Sequence, residues 1–380
     1  MRDLEGLLVL SLEQAVAAPF ASCKLADAGA RVIKVERAEG DFARGYDNLV
    51  NGESSYFVWL NRGKQSLCLD LKSKDDLALV NAIAAEADVF IQNFAPGAAE
   101  RLGLGAAAMT GKYPKLIYCS ISGYGEDGPL RQQKAYDMLV QAESGLAYVN
   151  GTPNEASRVG ISICDIAAGI TAYSAILEAI IGRGRSGKGR SIEVSLFHSI
   201  ADWMNVPYLQ TRYGNHPPAR MGLRHPSIAP YGAFRCGDGK EVLIAVQNER
   251  EWVKLCTKVL DDAALCCDQR FSSNIARVKN ASLLDTIIAQ RFATLTRDQA
   301  MAILDEADIA FGRLSDMTDL IAHPQRRLVK VVTAAGDVEL LAPGALAENS
   351  ADSLGAVPSL GEHSDRIRSE FARTGAATRA

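Results

Sequence analysis

Apolar residues recur in two rhythms along the first 200 positions of the chain. Short β-branched runs at Leu7–Leu12, Arg31–Glu36, Ser66–Leu71, Asp88–Phe94, Leu116–Ser122 and Ser191–Phe197 are apolar over most of their length. Such runs are expected of parallel strands covered on both faces. Between them lie helical patterns near 17–28, 73–87 and 165–182. In the last, Ile166, Ile170, Tyr173, Leu177 and Ile180 recur at three- and four-residue steps. Strand and helix in alternation predict an α/β class with a doubly wound, Rossmann-like large domain over 1–213.

The pattern changes beyond that point. Residues 214–230 are rich in glycine, proline and basic side chains and read as a linker or ligand loop. Tyr231–Arg235 and Glu241–Val246 flank Cys236–Gly239, a hairpin signal. Helical patterns follow near 249–259, 281–293 and 297–307, and a second hairpin is expected over 328–341. A smaller α+β domain is expected over 231–322, followed by a C-terminal segment, 323–380. The polar tail after about residue 365 is expected to be loosely ordered.

Composition narrows the function. The 380 residues are 48 % hydrophobic and 23 % charged, ordinary for a folded chain of two or three domains. A net charge of -4 speaks against a nucleic-acid binder. No window approaches a transmembrane helix and the N-terminus does not resemble a signal peptide, so no membrane partner is expected. Eight cysteines are scattered without metal-finger spacing, which fits a reduced, cytoplasmic protein.

Three motifs fail on inspection. Gly182–Gly189 nearly spells a phosphate loop, but Gly189 stands where Ser or Thr must hold magnesium, and a helix precedes it. A basic loop between helix and strand is expected instead. Gly103–Ala108 loosely matches a dinucleotide fingerprint without the strand–turn–helix context, and reads as a turn. The histidines 198, 216, 225, 323 and 363 have no metal-binding spacing, so no metal is expected.

Specific runs say more. Leu10–Pro19, Leu25–Arg37, Leu60–Lys72, Asn93–Gly103, Ile121–Gly125, Ala135–Asp137, Ser186–Arg190, Arg224–Tyr231 and Leu360–Asp365, in this order, resemble the class III (formyl-CoA transferase, CaiB/BaiF type) CoA-transferases. The resemblance implies an enzyme moving CoA from an acyl-CoA donor to a carboxylic acid acceptor through an aspartyl-CoA thioester, with coenzyme A as substrate. It also implies an interlocked homodimer whose 323–380 segment returns to the large domain, and an active site where that domain meets the partner's small domain. Racemases of the same family look for a histidine where this chain has Tyr136. A tyrosine, with a reference pKa near 10, is a poor base at neutral pH, which favours the transferase over an α-methylacyl-CoA racemase or a non-catalytic CoA-binding protein.

From the residues alone, Asp165, placed just before a helix expected to begin at Ile166, is an N-cap. The resemblance implies that it is the nucleophile, and the two roles are compatible. The resemblance further implies CoA contacts from Ala15, Val16, Ala17, Arg37, Leu69, Lys72, Asn93, Phe94, Arg101, Lys134 and Tyr136. As residues, Arg37, Lys72 and Lys134 equally suit exposed charges after strands, and Phe94 a core strand position. Val16 stands where formyl-CoA transferases carry a glutamine. That points away from oxalate or formate and toward a larger dicarboxylate or hydroxy acid of the succinate, malate or mesaconate type, with Gln14 nearby. Arg224 and His225 are candidates for a second substrate carboxylate, or are linker residues bonding backbone.

Overall fold

The computed structural model describes residues 2–215, 217–345 and 354–377. His216 and the stretches 346–353 and 378–380, parts of the expected linker and C-terminal segment, lie outside the described residues. Two compact units divide the chain: one comprises residues up to Ala147, Arg158–Tyr208 and the residues from Arg327 onward, the other Tyr148–Ser157 and Leu209–Arg326.

In the first unit six strands form one sheet: β1 (Leu8–Leu12), β2 (Arg31–Glu36), β3 (Lys64–Cys68), β4 (Val89–Gln92), β5 (Ile117–Ser122) and β6 (Ser191–Ser195). Their order is β3-β2-β1-β4-β5-β6 and every neighbouring pair is parallel. This is the doubly wound order that reverses direction between β1 and β4. All six expected strands are present; β3 begins two residues earlier than its apolar run suggested, because Lys64 is a buried strand residue.

Alternation within the strands explains the layers. Val9, Val32, Val89, Ile91 and Cys119 face one side with helices α1 (Ala17–Asp27) and α3 (Ile163–Ser186). Leu10, Ile33, Leu67, Phe90 and Tyr118 face the other with α2 (Lys74–Glu86). Helix α3 is long and apolar enough to cross a membrane by length and composition. Here it is the core helix, with Ala167, Ala168, Gly169, Ala172, Ile176 and Ala179 buried. It runs on through Ser186 and closes at Gly187 (φ 70), so Gly182–Ser186, the larger part of the Gly182–Gly189 run, is helix rather than loop.

The polar C-terminal stretch also departs from expectation. Ser364–Ala377 is a helix, α4, against α2 and β3. Two apolar residues one turn apart, Ile367 and Phe371, are buried in the cluster beneath it. Arg368 pairs with Asp76 at 2.7 Å, and Arg31 with Glu370. Two buried side chains among the described ones of a largely polar helix are too few to show in a composition scan, yet enough to dock it.

The second unit holds an antiparallel sheet in the order Ala310–Arg313, Glu241–Ala245, Tyr231–Arg235, with the expected hairpin at its edge. Helices Ala281–Phe292 and Arg297–Glu306 cover a core of Phe234, Val242, Trp252, Phe271 and Phe292.

Candidate active site

The carboxyl ends of β1, β2 and β3 open into a cavity of about 840 Å³. Ligands of doubly wound sheets bind outside these strand ends, beside the reversal in strand order. Gln14, Arg37, Leu69, Lys72 and Phe94 all line this cavity. They come from four different strand–helix connections, and the parallel sheet brings them together. Arg101 is exposed at the end of the helix Ala98–Arg101, one residue before Leu102 in the cavity wall. Arg37 and Lys72 are exposed, Leu69 is buried and Phe94 half-buried.

Asn93 has a different surrounding from the one expected. Its side chain accepts the Gln14 N–H at 3.0 Å and donates to the Gln14 carbonyl at 2.8 Å. Its polar atoms thus hold the β1–α1 loop. Ala15 follows at φ 66, a conformation that side-chain-bearing residues adopt rarely. Its N–H donates to Asp41 Oδ1 at 3.0 Å. Val16 is buried and stands at the N-cap of α1 with a side chain that cannot cap, and Ala17 begins the helix.

From there the chain leads to Asp165. A Cβ placed on Gly169 would stand 2.8 Å from the Ala17 carbonyl oxygen and 2.9 Å from Phe20 Cβ. Only glycine lets the two helices approach this closely. Gly169 lies one turn beyond Asp165 on the same face of α3. The amino end of α3 therefore sits beside the 14–17 loop.

Asp165 is not the cap of that helix. The helix starts at Ile163, three residues before the expected start, and Asp165 is its third residue. The cap comes from a distant segment: Asp137 Oδ1 accepts the N–H groups of Cys164 and Asp165 at 2.7 and 3.2 Å. Gln141 fixes the other Asp137 oxygen at 2.7 Å. Among the described residues no donor reaches the Asp165 carboxylate. Burial, and then the Asp137 charge, push its pKa up to about 7. A carboxylate free of donors is a better nucleophile than a capping one.

Tyr46 escaped the sequence reading. Its phenol is pushed up to about 12 by burial and by the charges of Asp41 and Asp165, so it lies near both. Phe42 and Tyr56 hold its ring, at centroid distances of 5.7 and 5.4 Å. Tyr136, at the N-cap of helix Asp137–Glu143, is exposed and lies near Tyr46, and Lys134 is exposed two residues before it. Nothing in the local pattern around Tyr46 marks it. For Asp41 a signal did exist: Lys34 interrupts an apolar parallel strand and, buried there, needs an anion.

Arg224 and His225 belong to the second unit, and their partners there are those of loop residues. Arg224 lies 2.7 Å from Asp285 in an ion pair whose angles do not make a hydrogen bond. His225 stacks on Tyr231 at 5.3 Å and accepts the Ser227 N–H. Among the described residues no group of three or more His, Cys, Asp or Glu side chains is gathered as a metal site would require.

Comparison with known proteins gives the family. The chain matches CoA-transferase family III over residues 4–364. It is 33 % identical to the succinyl-CoA:glutarate CoA-transferase of Mus musculus, over 98 % of this chain and 87 % of that one. It is 34 % identical to the acetyl-CoA:oxalate CoA-transferase of Acetobacter aceti, over 97 % and 95 %. A crystal structure of a CAIB/BAIF family protein from Brucella suis superposes with a TM-score of 0.83 at 32 % identity, covering 97 % of this chain and 99 % of that one. The chain belongs to the family III CoA-transferases, enzymes that move coenzyme A from an acyl-CoA donor to a carboxylic acid acceptor.

Proposed function

We propose that Asp165 is the nucleophile of this transferase and carries CoA as an aspartyl thioester. The observation behind this is the carboxylate itself: half-buried, at the head of α3, with no donor among the described residues and held near neutrality. Asp165 attacks the donor thioester, giving a mixed anhydride and CoA thiolate. The thiolate attacks the Asp165 carbonyl, and the donor acid leaves. The acceptor carboxylate then displaces the thiolate to form a second anhydride. Attack of the thiolate on the acceptor acyl carbon releases the new CoA ester and restores Asp165. Each intermediate passes through an oxyanion. The N–H groups of Val16, Ala17 and Ala18 head α1 without an acceptor among the described residues, and are suitable donors.

The cavity at the strand ends takes the nucleotide part of CoA, with Arg37 and Lys72 for phosphates and Leu69 and Phe94 around the adenine. Arg101, Lys134, Tyr136, and Ala15 to Ala17 complete the contacts, and Asn93 acts through Gln14. The acceptor is a dicarboxylate or hydroxy acid larger than oxalate, because the apolar Val16 offers no hydrogen bond to a small polar acid. The relative named for glutarate supports the larger acid, whereas the one named for oxalate stands on the other side of the choice. The enzyme works in the cytoplasm as an interlocked homodimer. Exposed apolar side chains at Met138, Leu139, Ile161, Trp203 and Val206 suit burial against a second copy.

Intact-protein mass spectrometry after incubation with succinyl-, glutaryl-, malyl- and oxalyl-CoA, with hydroxylamine trapping, tests the nucleophile. An adduct on the peptide containing Asp165, absent in Asp165→Ala, is expected. α-Proton exchange without an adduct would establish a racemase instead. Light scattering after size exclusion should give a dimer, and a monomer would sink that part.

A further inference from the structure

Four ionised side chains lie out of solvent beneath the β1–α1 loop. Glu13 Oε1 accepts from Lys64 Nζ at 2.6 Å and stands 3.5 Å from Lys34 Nζ. Glu13 Oε2 accepts from the Ser11 and Ser22 hydroxyls. Lys34 Nζ donates to Asp41 Oδ2 at 2.7 Å. Side-chain exposure is 0 % for all four, two cations against two anions, and a fifth buried group beside them, Glu36, also at 0 %, is paired with Arg44. Burial disfavours the Glu13 anion, but Lys64 and Lys34 outweigh it and hold the carboxyl at about 2. Lys34 is disfavoured by burial, but Glu13, Asp41 and Glu36 around it keep it above the usual lysine range. Lys64, with one carboxylate against it, is lowered by burial.

A buried charge set of this kind adds little to stability over an apolar core, so its presence calls for another account. The last free oxygen of the cluster supplies one. Asp41 Oδ1 accepts the N–H of Ala15 at 3.0 Å and of Ala43 at 2.9 Å. Ala15 is the residue at φ 66, a conformation that persists only where its surroundings over-determine it. Ala43 lies in the turn Phe42–Gly45 that delivers Tyr46. One carboxylate oxygen thus ties the loop beside Asp165 to the turn that leads into Tyr46.

We propose that Asp41, aimed by Lys34 and through it by Glu13 and Lys64, is a positioning residue for CoA transfer, holding the Gln14–Val16 loop and the Phe42–Gly45 turn in register with Asp165. The inference rests on Asp165 as nucleophile. It also explains the charges: Lys34 restrains the Asp41 carboxylate so that Oδ1 faces both amides, and Glu13 with Lys64 keeps the buried set neutral.

Charge balance provides the test. Asp41→Ala with Lys34→Met removes one anion and one cation, leaves the Glu13–Lys64 pair intact, and deletes the acceptor for Ala15. Asp41→Asn with Lys34→Met is equally balanced but keeps an oxygen for Ala15. The first double variant should lose about 100-fold in kcat, with KM for acyl-CoA within about threefold. The second should recover to within about tenfold of wild-type kcat. Wild-type kcat in the first variant, or equal losses in both, overturns the proposal. Should the first variant fail to fold, single-residue amide exchange on the wild type decides: Ala15 should exchange far more slowly than Val16 and Ala17, and equal rates overturn it. An unmodified Asp165 in acyl-CoA-treated wild type would overturn the nucleophile reading instead, before any variant is made.

Discussion

Asp137 Oδ1 accepts the backbone N–H of Asp165 at 3.2 Å, so one carboxylate caps the helix that presents the other. The arrangement leaves the Asp165 side chain without a donor among the described residues while setting a like charge near it. Capping and nucleophilic roles, which a single aspartate could have combined, are divided between two.

The first consequence concerns the pH dependence of acylation. With Asp165 at about 7, the rate of adduct formation should climb between about pH 5 and 8 as the carboxylate ionises. Stopped-flow release of CoA thiolate at a series of pH values checks this. Burial remains in Asp137→Asn but the charge is gone, so the midpoint should move to lower pH. An unmoved midpoint would show that Asp137 does not act electrostatically.

Stability should respond in the opposite sense. A carboxyl raised from 3.8 to about 7 by folding binds more protons folded than unfolded between those values, so stability falls as pH rises through that window. Asp165→Asn removes the cost of ionisation. We expect it to raise stability by about 2 kcal/mol near pH 8 and to change little near pH 4. Thermal unfolding at the two pH values checks the difference.

Gly169→Ala should injure the site without touching substrate. The added Cβ meets the Ala17 carbonyl oxygen at 2.8 Å, and this backbone atom cannot move without α1. A loss of about 1–3 kcal/mol in stability is expected. Acylation should slow more than CoA affinity weakens, as read by single-turnover kinetics and calorimetry.

Helix α4 offers a test away from the site. Phe371 is 2 % exposed and packs in the cluster under α2. Phe371→Ala should cost about 3–5 kcal/mol in chemical unfolding. The same substitution at exposed Phe42 should cost far less.

The large sheet was legible because its strands are buried on both faces. Val9 and Leu10 face opposite layers and both must be apolar, so β1 reads as a continuous run. Asp165 was legible only through a family resemblance, since its local pattern is that of a cap. Helix α4 and Tyr46 were not legible: two buried residues dock the helix, and Tyr46 gains meaning only from Asp41 and Asp165.

The sequence by itself determined the alternation of strands and helices, the family, the aspartate to examine and several residues that line the strand-end cavity. These depend on local periodicity and on residue runs that stay intact along the chain. Tertiary structure alone decided that Asp137 rather than Asp165 caps α3, that Asn93 clamps Gln14, and that Lys34 aims Asp41 at Ala15. The partners in those contacts stand 28, 79 and 7 residues apart, and Asp41 then reaches Ala15 across 26 more. Hydrogen bonds at such separations follow from how strand ends meet in a doubly wound sheet, and no local pattern encodes which side chains will meet there.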